Sequence, residues 1–122
     1  MDKPSDDVRP PIGLETLPVF ERWVEFIGWL LKTTDAFPKK ARFTFTTRID
    51  NLALDVLDDL TTAAYTKDRR VVLVGANLKL TRLRVMLRLS RDMGYMSVER
   101  FERAVRVIDE VGRMIGGWVR AS

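Results

Sequence analysis

The sequence contains neither cysteine nor histidine among its 122 residues. Without cysteine there is no disulfide, no thiolate nucleophile and no zinc site of the Cys/His type. Without histidine, a Ser-His-Asp triad and the Glu-x-x-His half of a di-iron site are excluded as well. The remaining reactive groups are carboxylates, amines, guanidinium groups and hydroxyls, and this inventory favours a binding protein over an enzyme.

Long apolar runs are also missing. The longest reach six residues, as in 26–31, whereas a membrane helix needs about 20. Residues 1–7 are polar and acidic, without the apolar stretch of a signal peptide. We therefore expect a cytoplasmic protein that makes no membrane contact. The length is that of one domain, and a hydrophobic content of 46% is enough for a core.

Acidic residues are scarce in the last third of the chain. The net charge is +4, and residues 78–122 hold ten basic but only five acidic side chains. Nine of those ten basic residues are arginines, which suit bidentate contacts with phosphate or carboxylate. A basic surface that binds nothing is the alternative, because a modest net charge does not identify a partner.

Helical periodicity runs through residues 17–122, whereas residues 1–16 are rich in proline and aspartate and are expected to form a disordered tail. The periodicity predicts four helices, at about 18–32, 44–65, 68–93 and 98–119. The later connectors are only a few residues long, so neighbouring helices should be antiparallel. The predicted fold is an all-α, up-down four-helix bundle.

Capping residues support these boundaries. Asp68 and Ser97 are expected N-caps of the third and fourth helices. Gly94 suits the left-handed position just after the third helix. At the start of the second helix, three threonines can supply capping hydroxyls: Thr44, Thr46 and Thr47.

The third predicted helix is apolar on two opposite sides. One stripe suits the core of the bundle and consists of Leu73, Ala76, Leu80, Leu83 and Leu87. The second stripe consists of Val71, Val74, Leu78, Val85 and Leu89. Because a helix that is apolar on two sides is buried on two sides, the second stripe predicts a subunit interface. Trp29, which is expected to point away from the apolar arc of the first helix, is assigned to the same interface. The alternative is that the tail or residues 33–43 fold over the stripe.

Two basic clusters are candidate nucleic-acid contacts. The first consists of Arg84, Arg88 and Arg91, which share one narrow arc of the third helix. The second consists of Lys39, Lys40, Arg42 and Arg48, interleaved with Phe37, Phe43 and Phe45. Basic residues among aromatics can hold a phosphate backbone and stack bases. The alternatives are that Phe45 belongs to the core, that Phe43 staples the helix start, and that arginines such as Arg82 form salt bridges along an apolar seam.

Carboxylates and glycines offer weaker signals. Asp55 and Asp59 lie one turn apart, as do Glu21 and Glu25, and such pairs can hold a divalent cation. They more often face solvent or pair with arginines of an adjacent helix, so we expect neither a metal site nor a cofactor. The spacing of Gly112 and Gly116 permits a close helix approach, although this motif is informative mainly in membranes.

Several segments resemble one family of bundle proteins. They are FPKKARFT (37–44), RI (48–49), ALD (53–55), LRVMLRL (83–89), DMG (92–94) and EVGRMIGGW (110–118). In this order they resemble the Avd-like proteins, the accessory variability determinants of diversity-generating retroelements. These are related to bundle proteins encoded by intervening sequences in bacterial 23S rRNA genes. The resemblance covers about residues 18–120.

The resemblance implies a bundle that assembles into a ring-like homo-oligomer, a pentamer, with a basic surface and no catalytic site. It implies binding to RNA and/or DNA, largely through phosphates, and association with a reverse transcriptase during mutagenic copying of template RNA. Under this resemblance, the basic residues of both clusters are the candidate contacts with nucleic acid or with the reverse transcriptase. The alternatives are a protein-interaction scaffold, a 23S rRNA intervening-sequence-type protein without a retroelement role and, least favoured, a carboxylate-metal enzyme.

Overall fold

The computed structural model describes residues 17–122, and the predicted tail at residues 1–16 lies outside this range. The described chain forms four helices and no strand: α1 (Pro18–Asp35), α2 (Thr47–Tyr65), α3 (Arg70–Asp92) and α4 (Val98–Ala121). Each helix packs against two neighbours, in the order α1, α2, α3, α4 and back to α1. The predicted all-α four-helix bundle is confirmed, and the predicted helix ends agree within three residues.

Contacts along the helix pairs show that neighbours are antiparallel. Arg22, early in α1, meets Glu110 late in α4, whereas Trp29 further along α1 meets Arg103 nearer the start of α4. None of the helices in residues 17–122 is long and apolar enough to cross a membrane.

The connector from α1 to α2 is itself coiled. It contains a 3₁₀ turn at Lys39–Ala41 and a π-helical turn at Arg42–Thr46 that continues into α2. Because the Arg42 carbonyl accepts a hydrogen bond from the Thr47 N–H, backbone already satisfies this end of α2. Capping by the threonine hydroxyls was therefore a wrong prediction: the N-cap Thr46 makes no side-chain capping bond.

Of the three other predicted helix caps, two are confirmed and one is wrong. Ser97 Oγ accepts a hydrogen bond from the Arg100 N–H at 3.1 Å, and Gly94 has a φ of 79°, so both predictions are confirmed. Asp68 does not cap α3, because the helix begins at Arg70 and its N-cap is Arg69, which makes no side-chain capping bond. Arg69 Nε instead donates to the Thr66 carbonyl at 3.0 Å and holds the short connector closed.

The core consists largely of the residues that helical periodicity assigns to it. All five members of the inner stripe of α3 are at most 2% exposed. Trp23 is the largest fully buried side chain, with its ring centroid 4.9 Å from that of Phe26. Its indole Nε1 donates to the Ala53 carbonyl at 2.8 Å. This bond satisfies the one polar atom that a buried tryptophan brings into the core.

We expect Trp23→Phe to lower the free energy of unfolding by about 1–3 kcal/mol, because it removes a buried donor and leaves a cavity. Urea unfolding followed by circular dichroism measures the change. Trp118→Phe is the matched control, since Trp118 is only half-buried, and should cost less. Equal stability of the Trp23 variant and the wild type would contradict this account of the core.

Candidate nucleic-acid interface

The basic cluster before α2 lies on the surface at one end of the bundle. Lys39 and Lys40 belong to the 3₁₀ turn, Arg42 begins the π-helical turn, and Arg48 lies in the first turn of α2. All four side chains are exposed. None of them forms an ion pair with a carboxylate of residues 17–122, so their charges face solvent.

The aromatic residues of this cluster separate into two groups. Phe37 and Phe45 pack against Tyr95, with ring centroids 5.9 Å and 5.1 Å apart, and so help to close the end of the core. Phe43 is 81% exposed, so the interpretation of Phe43 as a helix staple is wrong. An exposed ring between Arg42 and the start of α2 is a surface on which a base can stack.

The three arginines of the α3 cluster differ in whether they form an ion pair. Arg84 forms an ion pair with Asp109 of α4. Arg91 pairs with Asp92 at 2.9 Å, and its guanidinium lies 4.6 Å from the centroid of the Phe101 ring. Arg88 is exposed and, among residues 17–122, has no ion-pair partner. The arc predicted from the helical wheel therefore contains one solvent-facing charge and two that are partly engaged.

A further row of arginines lies on the outer face of α4. Arg106, Arg113 and Arg120 repeat every seven residues and are exposed. Two acidic neighbours of this row are engaged, because Asp109 pairs with Arg84 and Glu110 accepts a hydrogen bond from Arg22 Nε at 3.0 Å. Glu99 and Glu102, nearer the start of α4, are exposed. The bond to Glu110 raises the pKa of Arg22. The seven-residue spacing signals this row in the sequence, but only the tertiary contacts show that Asp109 and Glu110 are engaged.

The carboxylates of α1 and α2 also serve as partners for basic residues. Asp59 accepts a hydrogen bond from Lys79 Nζ of α3 at 2.7 Å, and Glu25 pairs with Arg22 at 2.7 Å. Across residues 17–122, no group of three acidic side chains is placed to hold a metal ion. The ion pairs across α1–α4, α2–α3 and α3–α4 engage one carboxylate each. Residues 17–122 hold nineteen basic and thirteen acidic side chains, so the described bundle carries a basic excess.

The second apolar stripe of α3 faces outward. Its five residues are between 46% and 77% exposed, so residues 33–43 do not fold over it. The alternative cover, the tail at residues 1–16, lies outside the described residues. Beside it, between α2 and α3, lies a groove of about 570 Å³. Leu52, Val85 and Met86 supply apolar lining, and Arg48, Asp55 and Arg82 are among the polar residues around it. Val85 belongs to both the stripe and the lining of the groove, so the two apolar surfaces meet at this residue.

Trp29 lies elsewhere than predicted. Instead of pointing away from the apolar arc of α1, its ring packs against the core and stacks on Phe26 at 5.7 Å. The Arg103 guanidinium covers it at 4.9 Å from the ring centroid. Trp29 therefore belongs to the seam between α1 and α4, which is diagonally opposite the outer stripe of α3.

Comparison with known proteins identifies the family to which this chain belongs. No curated protein matches the sequence. A family model described as bAvd-like matches residues 19–122, which is nearly all of the described bundle. The match confirms the resemblance drawn from the segments at 37–44 and 110–118, and the chain belongs to the bAvd-like family of Avd-type accessory proteins.

Proposed function

We propose that this chain is a non-catalytic accessory protein of a diversity-generating retroelement. In this role it binds the template RNA and/or its cDNA together with the reverse transcriptase and supports mutagenic reverse transcription. Family membership supports the accessory role. The observation that carries the nucleic-acid part of the proposal is the distribution of charge. Within residues 17–122, fifteen of the nineteen basic side chains form no ion pair, against eight of the thirteen acidic ones.

The basic surface suits contacts with phosphate. The turn before α2 presents Lys39, Lys40 and Arg42, and the outer face of α4 presents its row of arginines. Contacts of this type fix position on a nucleic acid and carry little sequence information. We therefore expect binding that depends weakly on sequence and strongly on salt.

The outer apolar stripe supports assembly. Soluble monomers rarely leave a contiguous apolar surface of this kind in water. We infer that copies of the chain cover it for one another in a ring-like homo-oligomer, with five subunits as the family resemblance implies. In a ring, one face of a subunit meets a different face of the next, so the stripe and the Trp29 seam can belong to opposite sides of one interface. A ring also multiplies the basic surface, which strengthens binding through multivalency.

A protein-interaction scaffold is the second candidate. One observation favours it: Arg84, Arg22 and Lys79 are engaged in ion pairs between helices. In this case the remaining arginines would pair with carboxylates of other subunits or partners. Failure of the protein to bind any nucleic acid at low salt would support the scaffold.

Binding of a labelled single-stranded RNA should weaken steeply with salt, with a log–log slope of about −0.7 for each phosphate contacted. Replacing Lys39, Lys40 and Arg42 by Gln should lower the affinity at low salt and reduce the magnitude of the slope by about 2. Fluorescence anisotropy titrations at several salt concentrations measure both quantities.

The matched control is the triple variant Lys32→Gln, Lys67→Gln and Arg70→Gln. It removes the same charge at three other exposed positions. Its slope should stay closer to that of the wild type. If both triple variants lose affinity equally, binding follows net charge and the turn before α2 is not a contact site.

Val74→Glu with Val85→Glu should dissociate the assembly and leave helical monomers. Each glutamate would be buried without a partner in the interface, which is strongly unfavourable. Light scattering coupled to size exclusion measures the mass, and circular dichroism checks the helix content.

Leu54→Glu with Tyr65→Glu places two glutamates at exposed apolar positions of α2, outside the stripe and the α1–α4 seam, and serves as the control for added negative charge. It should keep the mass of the wild type. A wild-type chain that is monomeric at tens of micromolar would contradict the proposed assembly.

A further inference from the structure

A groove of about 500 Å³ runs between α3 and α4. Arg84 lies on its α3 side and Arg113 and Arg120 on its α4 side, while Gly112 and Gly116 are part of its lining. Asp109 is the one acidic residue in this lining, and it already pairs with Arg84. The groove therefore has a net positive charge and an α4 wall without bulky side chains at two successive turns.

The packing of α3 against α4 does not require glycine at these positions. A Cβ built on Gly112 would lie 3.7 Å from Asn77 Oδ1 and 3.8 Å from Leu80 Cδ1. A Cβ on Gly116 would lie 3.5 Å from a guanidinium nitrogen of Arg120. These are ordinary van der Waals distances, so the packing of α3 against α4 would tolerate a Cβ at both positions. Glycine is disfavoured relative to alanine in a helix interior, and in this place it keeps the groove open.

The arginines of α4 are placed to use that space. The Arg120 guanidinium folds back along the helix, with Nη1 nearest to Gly116 and Nη2 nearest to Gly117. Arg113 is exposed, and no carboxylate of residues 17–122 forms an ion pair with it. The planar fork of a guanidinium matches the oxygen atoms of phosphate. Because Asp109 partly neutralises Arg84, Arg113 and Arg120 are the stronger phosphate ligands.

We propose that this groove binds the phosphodiester backbone of a nucleic acid. Arg113 and Arg120 contact the phosphates, and Gly112 and Gly116 let the backbone approach the helix closely. This inference rests on the proposed function, because it assigns part of the nucleic-acid contact to one place on the bundle. It adds two arginines and two glycines that lie outside both basic clusters predicted from the sequence.

A glycine substitution tests the groove without removing charge. In the full chain, Gly116→Ala should raise or preserve Tm, because alanine favours the helix. The same change should weaken binding of a labelled single-stranded RNA at least about fivefold, the loss expected for one hydrogen bond. Gly28→Ala on α1 is the matched control, since no atom lies within 4 Å of its added Cβ. It should likewise keep or raise Tm but leave the affinity unchanged.

A pair of charge variants gives a second readout. Arg113→Gln with Arg120→Gln should weaken RNA binding more than Arg100→Gln with Arg103→Gln, which removes the same charge from exposed positions of the same helix outside the groove. Polyglutamate of equal charge should compete poorly, because it lacks phosphate. Equal weakening by the two pairs, or efficient competition by polyglutamate, would overturn the proposal.

The outcomes separate this inference from the proposed function. If the wild type binds RNA and the Gly116 and Arg113/Arg120 variants bind equally well, the groove is not the site and the proposed function stands. If the wild type binds neither RNA nor DNA at low salt, both fail. A marked drop in Tm for Gly116→Ala would show that the glycine serves packing, and it would overturn the proposal directly.

Discussion

Helix α3 is apolar on two opposite sides, and this constraint shapes both the bundle and the proposed assembly. Its inner stripe, represented by Leu73 and Leu83, lies at the centre of the core. Its outer stripe, represented by Val74 and Leu78, remains half exposed in the single chain. Removing apolar area from water stabilises a folded protein. The bundle buries the inner stripe, and the assembly we propose would bury the outer one. Charged residues of α3 are confined to the two edges between the stripes.

Each of those edges carries an ion pair to a neighbouring helix. On one edge Lys79 is bound to Asp59 of α2, and on the other Arg84 is bound to Asp109 of α4. Such partly exposed pairs contribute little to stability. They also leave Lys39, Lys40 and Arg42 of the turn before α2 and Arg113 of α4 without an ion-pair partner among residues 17–122. Assembly and nucleic-acid binding can then use different faces of the same small domain.

Local signals in the sequence predict most of the fold. Ser97 and Gly94 mark their helix ends because a cap depends on residues within one turn, and the spacing of Leu73 to Leu87 places the inner stripe. The candidate site was harder to predict, because the Arg84–Asp109 pair joins residues 25 positions apart. A helical wheel shows the direction of a side chain but not the carboxylate it meets. For the same reason the position of Trp29 and the groove beside Gly116 became visible only in the packed bundle.

Hydroxyl-radical footprinting of the full chain, with and without single-stranded RNA, tests most directly the claim that two separate faces serve assembly and nucleic-acid binding. The account predicts that Val74 and Leu78 react slowly in the free protein, since other copies cover them. Phe43, which is 81% exposed, should react rapidly until RNA is added and slowly afterwards. The account is contradicted if Val74 and Leu78 react rapidly in the free protein, or if RNA protects them and leaves Phe43 unchanged.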